Sequence, residues 1–101
     1  MKILILGGAG FIGINFLKTI INNKKYNILN IDKLSYASNK KEIKKLSIYK
    51  NYTFKKVDIS NYSKINNVIN KFKPNKIINF AAETHVDNSI KSSYEFIKSN
   101  Y

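Results

Sequence analysis

Apolar residues arrive in short unbroken runs, separated by longer stretches with a helical period. Ile3-Leu4-Ile5-Leu6 is a run of strand length, and continuous apolar runs of this kind mark strands buried on both faces. Phe11, Ile12, Phe16, Leu17, Ile20 and Ile21 then recur as one stripe, predicting a helix over about residues 11–23. The alternation repeats. A second strand is expected at about 27–31, and the loop from Asp32 to Ser38 leads into a Lys-rich helix at about 39–48 with Ile43 and Leu46 turned inward. A third strand follows at about 52–57. Ser60 or Asn61 is placed to cap a helix carrying Ile65, Val68, Ile69 and Phe72, which Pro74 stops. A fourth strand is expected at about 76–80, then a loop, then a last helix from about Ser89 onward. Strands alternating with helices predict an α/β architecture. Right-handed crossovers give a doubly wound parallel sheet of order 3-2-1-4, incomplete at its outer side, in one domain over residues 1–101.

The turn after the first strand carries the chemistry. Residues 7–13 read Gly-Gly-Ala-Gly-Phe-Ile-Gly, fitting both G-x-G-x-x-G and G-x-x-G-x-x-G. Such a spacing gains meaning from context: a strand before, a helix after, and an acidic residue about 20 positions on. All three are present, since Asp32 lies 19 residues past Gly13 at the end of the second strand. This is the Rossmann-type arrangement. Gly7 and Gly8 are expected to permit a tight turn, Gly10 to let backbone approach phosphates, and Gly13 to let the helix pack on the strand. The amides at the helix start, with its dipole, suit an anion.

Ligands of such sheets sit beyond the carboxyl ends of the strands, where the order reverses between the first and fourth. Asp32 can accept hydrogen bonds from both ribose hydroxyls and repels a 2′-phosphate, which selects NAD over NADP. Asp58-Ile59 ends the third strand, beside the expected adenine. Phe80-Ala81-Ala82 ends the fourth, where two alanines leave room for the ribose and nicotinamide half. Thr84 and His85 follow at the mouth. Each position also has a plain alternative: a helix cap for Asp58, core packing for Phe80, and a loop-fastening role for His85.

Composition narrows the classes. The chain has no cysteine and one histidine, so neither a disulfide framework nor a metal site is expected. No apolar run approaches the roughly 18 residues of a membrane span, and a cytoplasmic location is the expectation. The formal charge of +12 points toward nucleic acid. Yet all 18 basic residues are Lys, and Lys, Ile, Asn and Tyr fill more than half of the chain. That is the mark of coding bias rather than of an Arg-built phosphate or base reader, so no nucleic-acid partner is expected.

Over its whole length the sequence resembles the extended short-chain dehydrogenase/reductases, on the run Leu6-Gly7-Gly8-Ala9-Gly10-Phe11-Ile12-Gly13. Asp32-Lys33-Leu34-Ser35-Tyr36-Ala37 and Phe80-Ala81-Ala82-Glu83-Thr84-His85-Val86-Asp87-Asn88-Ser89 narrow the likeness to the dTDP-glucose 4,6-dehydratases of the NAD-dependent epimerase/dehydratase family. UDP-glucose 4,6-dehydratases share much of the last stretch, so the nucleotide base stays open. The resemblance implies NAD contacts from Phe11, Ile12, Asp32, Lys33, Leu34, Ser35, Asp58, Ile59, Phe80, Ala81, Ala82, Glu83 and Thr84. It implies one more from Ser99, where the family usually has Thr, and gives Thr84 a second contact with the sugar. Leu6, Ile14 and Asn88 depart from the usual Thr, Ser and Arg. Homodimers are implied for full-length members.

The chemistry the resemblance implies is oxidation at sugar C4, loss of water from C5 and C6, and hydride return to C6. It belongs to a Tyr-x-x-x-Lys pair and a Thr-Asp-Glu triplet, both expected beyond residue 101. Three Tyr-x-x-x-Lys matches occur here, at Tyr36/Lys40, Tyr52/Lys56 and Tyr94/Lys98. None follows a fifth strand as the family's pair does, so no catalytic residue is assigned. The chain is expected to be the N-terminal part of a dehydratase, inactive alone: a fragment, a truncated product, or one half of a split enzyme whose partner is the C-terminal half. The alternatives are an epimerase fragment and a non-catalytic nucleotide-binding module.

Overall fold

The computed structural model describes residues 1–33 and 40–81 in full, and the backbone of 95–98. Strand β1 (Lys2–Leu6) leads through the glycine turn into α1 (Phe11–Ile20) and returns to β2 (Asn27–Asp32). Then come α2 (Lys40–Leu46), β3 (Tyr52–Lys56), α3 (Tyr62–Phe72), β4 (Lys76–Asn79) and β5 (Glu95–Lys98). All pairings are parallel, in the order β3-β2-β1-β4-β5. The expected order 3-2-1-4 is present, with one strand added outside β4.

Period-two alternation sorts the strand residues between two layers. Ile3, Ile5, Ile28, Tyr52, Ile78 and Phe80 pack with Leu17 and Ile21 of α1 and Leu46 of α2. Leu4, Leu6, Leu29, Ile31, Val57 and Ile77 pack with Ile65, Val68 and Ile69 of α3. Helices therefore cover both faces, which is why β1 is apolar over residues 3–6: Leu4, Ile5 and Leu6 have no exposed surface.

Helix α1 ends at Ile20, short of the expected 23, because the Asn51 side chain donates to the Ile21 carbonyl at 3.1 Å and to that of Tyr26 at 3.1 Å. Its stripe is also displaced. Ile14, Leu17 and Ile21 are buried, whereas Phe11 is 81% and Ile12 37% exposed. Helix α3 begins where one of the two expected caps stands: the Asn61 side chain accepts from the Lys64 amide at 3.2 Å. It closes on Lys73 in the left-handed region, with φ 52°.

Two expectations are corrected. The last helix from Ser89 is not what the structure builds over Glu95–Lys98, which pair with Lys76–Asn79 as β5. The outer edge of β4 is therefore not open; its unpaired amides and carbonyls take a strand instead. Phe80 takes the core packing weighed for it: it is 8% exposed and rests its ring 5.4 Å from that of Phe16. Among the described residues no helix is long and apolar enough to cross a membrane.

Lys73 carries a side chain where left-handed backbone disfavours one. Lys73→Gly is expected to stabilise the fold by about 1 kcal/mol, read as a higher urea midpoint at unchanged slope. A lower midpoint would show that the Lys73 side chain itself contributes.

Candidate functional site

The carboxyl ends of β1, β2 and β4 meet at the glycine turn. The Gly7 amide donates to the Ile31 carbonyl at 2.9 Å, and the Phe80 amide donates to the Leu6 carbonyl at 2.8 Å. The turn is thus bound to both neighbouring strands. Gly7 has φ +76°, and a Cβ there would lie 2.9 Å from the Ala81 nitrogen. Glycine is required on both counts.

The other glycines serve space rather than dihedral freedom, which corrects the expectation for Gly8. Gly8 is not in the positive-φ region. A Cβ on it would overlap the Asn30 carboxamide, and would meet Ile5 at 2.8 Å. Gly13 was expected to open room against the strand; what a Cβ there would strike is the turn itself, at 2.6 Å from the Gly8 Cα. Among the described residues, the nearest atom to such a Cβ at Gly10 is the Gly7 carbonyl oxygen at 3.9 Å, so no described group fills that space.

Gly10 is the N-cap of α1. No side chain caps this end, and no acidic residue stands in the first turn. Among the described residues, the helix therefore presents its positive pole and first-turn amides with no side-chain cap; the Asp32 carboxylate accepts from Ala9, one residue before the cap. Two side chains from one face of β2 hold the preceding residues. The Asn30 Oδ1 accepts from the Gly8 amide at 3.1 Å, and the Asp32 Oδ2 accepts from the Ala9 amide at 3.0 Å. Asn30 has no exposed surface, and its Nδ2 donates to the Tyr52 hydroxyl at 3.0 Å. Burial pushes the Tyr52 phenol above its usual range, against the hydrogen bond from Asn30, with the Asp32 charge adding to the rise.

Asp58 follows β3 as the head of a turn. Its Oδ1 accepts from the Ser60 hydroxyl at 2.7 Å and the Ser60 amide at 3.0 Å. These bonds hold its carboxyl below the ordinary range, with Lys33 and Lys64 contributing more weakly and in the same direction. The cap of α3 is Asn61, so Asp58 is not the cap it was weighed as. Ile59 is partly buried against the α3-side core, and Lys33 is exposed. The Phe80 ring belongs to the core under α1; the chain after it turns at Ala81, whose amide donates to the Asn79 Oδ1 at 2.8 Å.

The structure thus brings Gly7, Gly10, Phe11, Ile12, Gly13, Asp32 and Ala81 to one end of the sheet. Leu34, Ser35, Ala82, Glu83, Thr84, His85 and Ser99 lie outside the described residues, as does the side chain of Lys98. Among the described residues no three of His, Cys, Asp and Glu gather as metal ligands. Asn30 and Tyr52 had no place in the sequence reading of the site. The available signal was an Asn inside the apolar strand Ile28-Leu29-Asn30-Ile31, since a buried amide needs partners.

Residues 4–101 match the protein family described as GDP-mannose 4,6 dehydratase. The chain is 40% identical over 100 residues to the dTDP-glucose 4,6-dehydratase of Haemophilus influenzae, covering 99% of this chain and 30% of that protein. Among solved structures, it resembles the Bacillus anthracis dTDP-glucose 4,6-dehydratase in complex with NAD, with a TM-score of 0.73, 40% identity, and coverage of 82% of this chain and 27% of that one. It also resembles the Campylobacter jejuni UDP-Glc/GlcNAc 4-epimerase, with a TM-score of 0.72, 32% identity, and coverage of 83% and 25%. The chain therefore spans less than a third of the length of the relatives it matches.

Two outcomes check this geometry. Gly8→Ala should lower stability by about 1–3 kcal/mol by forcing the Asn30 side chain off its partners; a thermal midpoint equal to wild type would refute the close approach. Ser60→Ala should raise the Asp58 titration midpoint toward the ordinary value of about 3.9, read by carboxyl NMR. In the wild type, any stability Asp58 lends is present above its unfolded pKa and is lost as pH falls through its lowered folded one.

Proposed function

The chain belongs to the GDP-mannose 4,6 dehydratase family, and we propose that it is the N-terminal, NAD-binding portion of a nucleotide-sugar 4,6-dehydratase acting on dTDP-glucose. The observation that carries the cofactor reading is the start of α1, uncapped by any described side chain and preceded by three glycines that carry none of their own. A pyrophosphate fits such a site by charge and by room. The relatives' printed names support the substrate reading: a dTDP-glucose 4,6-dehydratase solved with NAD and an epimerase of UDP-sugars share this fold.

In this reading each residue has a modest task. The first-turn amides of α1 and its dipole hold the pyrophosphate. Asp32, already fastening Ala9, accepts the adenosine ribose hydroxyls and disfavours a 2′-phosphate. Asp58 is kept ionised by Ser60 and faces the adenine amine, with Ile59 against the ring. Phe11 and Ile12, exposed at the turn, cover the phosphates. Lys33, Leu34, Ser35, Phe80, Ala81, Ala82, Glu83, Thr84 and Ser99 complete the cofactor's surroundings, and Thr84 reaches the sugar. Bound here, the cofactor would supply a hydride acceptor for oxidation at sugar C4 and, in its reduced form, a hydride donor for C6. No residue of these 101 is assigned to the proton transfers. Full-length members of such an enzyme are proposed to work as homodimers.

Gly10→Val fills a space that no described protein atom uses, so it should fold and yet abolish measurable NAD binding in calorimetry. Asp32→Ala should weaken NAD by about 1.5–3 kcal/mol for each ribose hydrogen bond lost, and should narrow the preference over NADP. Unchanged NAD affinity in folded Gly10→Val overturns the site. The substrate reading is tested by fusing the chain to the C-terminal portion of a related dehydratase and following the 4-keto-6-deoxy product from dTDP-glucose. Turnover of UDP-glucose alone would move the assignment to the uridine nucleotide.

A further inference from the structure

Between the glycine turn and the edge strand β3 runs a buried chain of hydrogen bonds for which the cofactor reading has no use. The Gly8 amide donates to the Asn30 Oδ1 at 3.1 Å, and the Asn30 Nδ2 donates to the Tyr52 hydroxyl at 3.0 Å. Asn30 is fully buried and Tyr52 is 5% exposed. The Asn30 amide orientation is fixed by these partners, because the reverse would set an NH2 against the Gly8 N–H. A buried carboxamide in the middle of a parallel strand is a cost unless both ends are used, and here both are.

We propose that Asn30, oriented by Tyr52, is a positioning residue that sets the glycine turn for dinucleotide pyrophosphate. The inference rests on the cofactor reading above. Asn30 and Asp32 stand two residues apart on β2 and so share one face. They take consecutive amides of the turn, Gly8 and Ala9. Those two N–H groups are pulled toward the sheet and away from the ligand. What is left for the anion is the start of α1 from Gly10 onward, and its placement follows from how tightly the two preceding residues are held. Asn30 also packs where a Gly8 side chain would stand, so the amide and the glycine are matched in shape as well as in hydrogen bonding. Tyr52 spans from β3 to close the far side, and fixes the rotamer by which Asn30 meets Gly8.

The test uses the 101-residue chain with amide exchange at Gly8, read by NMR without ligand, and calorimetric binding of NAD and ADP-ribose. Asn30→Ala is expected to speed Gly8 exchange at least tenfold and to weaken both ligands about tenfold, the worth of one buried hydrogen bond. Tyr52→Phe removes a single oxygen and keeps the ring, so it carries the test if Asn30→Ala does not fold; the expected change is about threefold in the same direction. Val68→Ala, on α3 and buried against the opposite face of the sheet, serves as the control. It should lower the melting temperature comparably while leaving Gly8 exchange and NAD affinity within twofold. Unchanged exchange and affinity in the folded Asn30 and Tyr52 variants overturns the proposal, as does an equal change in Val68→Ala. A wild-type chain that binds no NAD overturns the cofactor reading; Gly8 exchange then still decides whether Asn30 holds the turn.

Discussion

Backbone lies against backbone at the end of β1, and the rest of the arrangement depends on it. A Cβ on Gly13 would sit 2.6 Å from the Gly8 Cα, and one on Gly7 would sit 2.9 Å from the Ala81 nitrogen. The start of α1, the turn and the end of β4 therefore stack with no side chain between them. That contact fixes where α1 leaves the sheet, and with it which helix residues reach the core. Ile14, Leu17 and Ile21 are buried as a consequence, and Phe11 and Ile12 are left facing outward. The same close packing leaves the N-terminus of α1 clear of described side chains. One constraint thus serves the core and the proposed anion site together.

The polar groups inside the sheet serve the same end of the molecule. Asn30 and Asn79 are the buried polar residues of the described core, and each gives its Oδ1 to a backbone amide beside the turn: Asn30 to Gly8, Asn79 to Ala81. Buried amides in parallel strands are costly without partners, and these are spent on bending chain rather than on pairing strands. The lysine surplus has little part in this. The Lys18–Glu42 pair at 3.1 Å joins α1 to α2 at the surface, where such pairs contribute at most about 1 kcal/mol.

Much of this was legible in the sequence because each layer leaves a local trace. The apolar run Ile3-Leu4-Ile5-Leu6 marks a strand covered on both faces, and the alternation of short apolar stretches with helical ones gives the four strand positions and their order 3-2-1-4. Gly7 and Asp32 were legible because a turn and an acidic strand end at the right spacing have few other reasons to coexist. The tasks of Gly8 and Gly13 were not: Gly8 depends on the Asn30 carboxamide 22 residues away, and Gly13 on how the turn folds back over the helix start. The cofactor contact of Phe80 came from the resemblance, with core packing as its alternative; its ring lies against Phe16 because position 80 shares the face of Ile78. Asn30 and Tyr52 are 22 residues apart, and no pattern within either strand announces that they meet.

The miss at residues 95–98 has a different cause. Ile90, Tyr94, Ile97 and Tyr101 recur at helical spacing, and on local grounds that favours a helix. The competing term is not local. β4 has one neighbour in β1, and its other edge holds a row of amides and carbonyls that need partners. A parallel partner requires a crossover of a dozen or more residues, and the stretch from Phe80 to Glu95 supplies it. Once β1–β4 has formed, pairing Glu95–Lys98 along β4 satisfies backbone groups that a helix would leave exposed at that edge. The period of a short segment is a weak prior against such an edge. The sheet's outer side is therefore decided by what the inner strands leave unpaired, just as the site is decided by what the glycines leave unfilled.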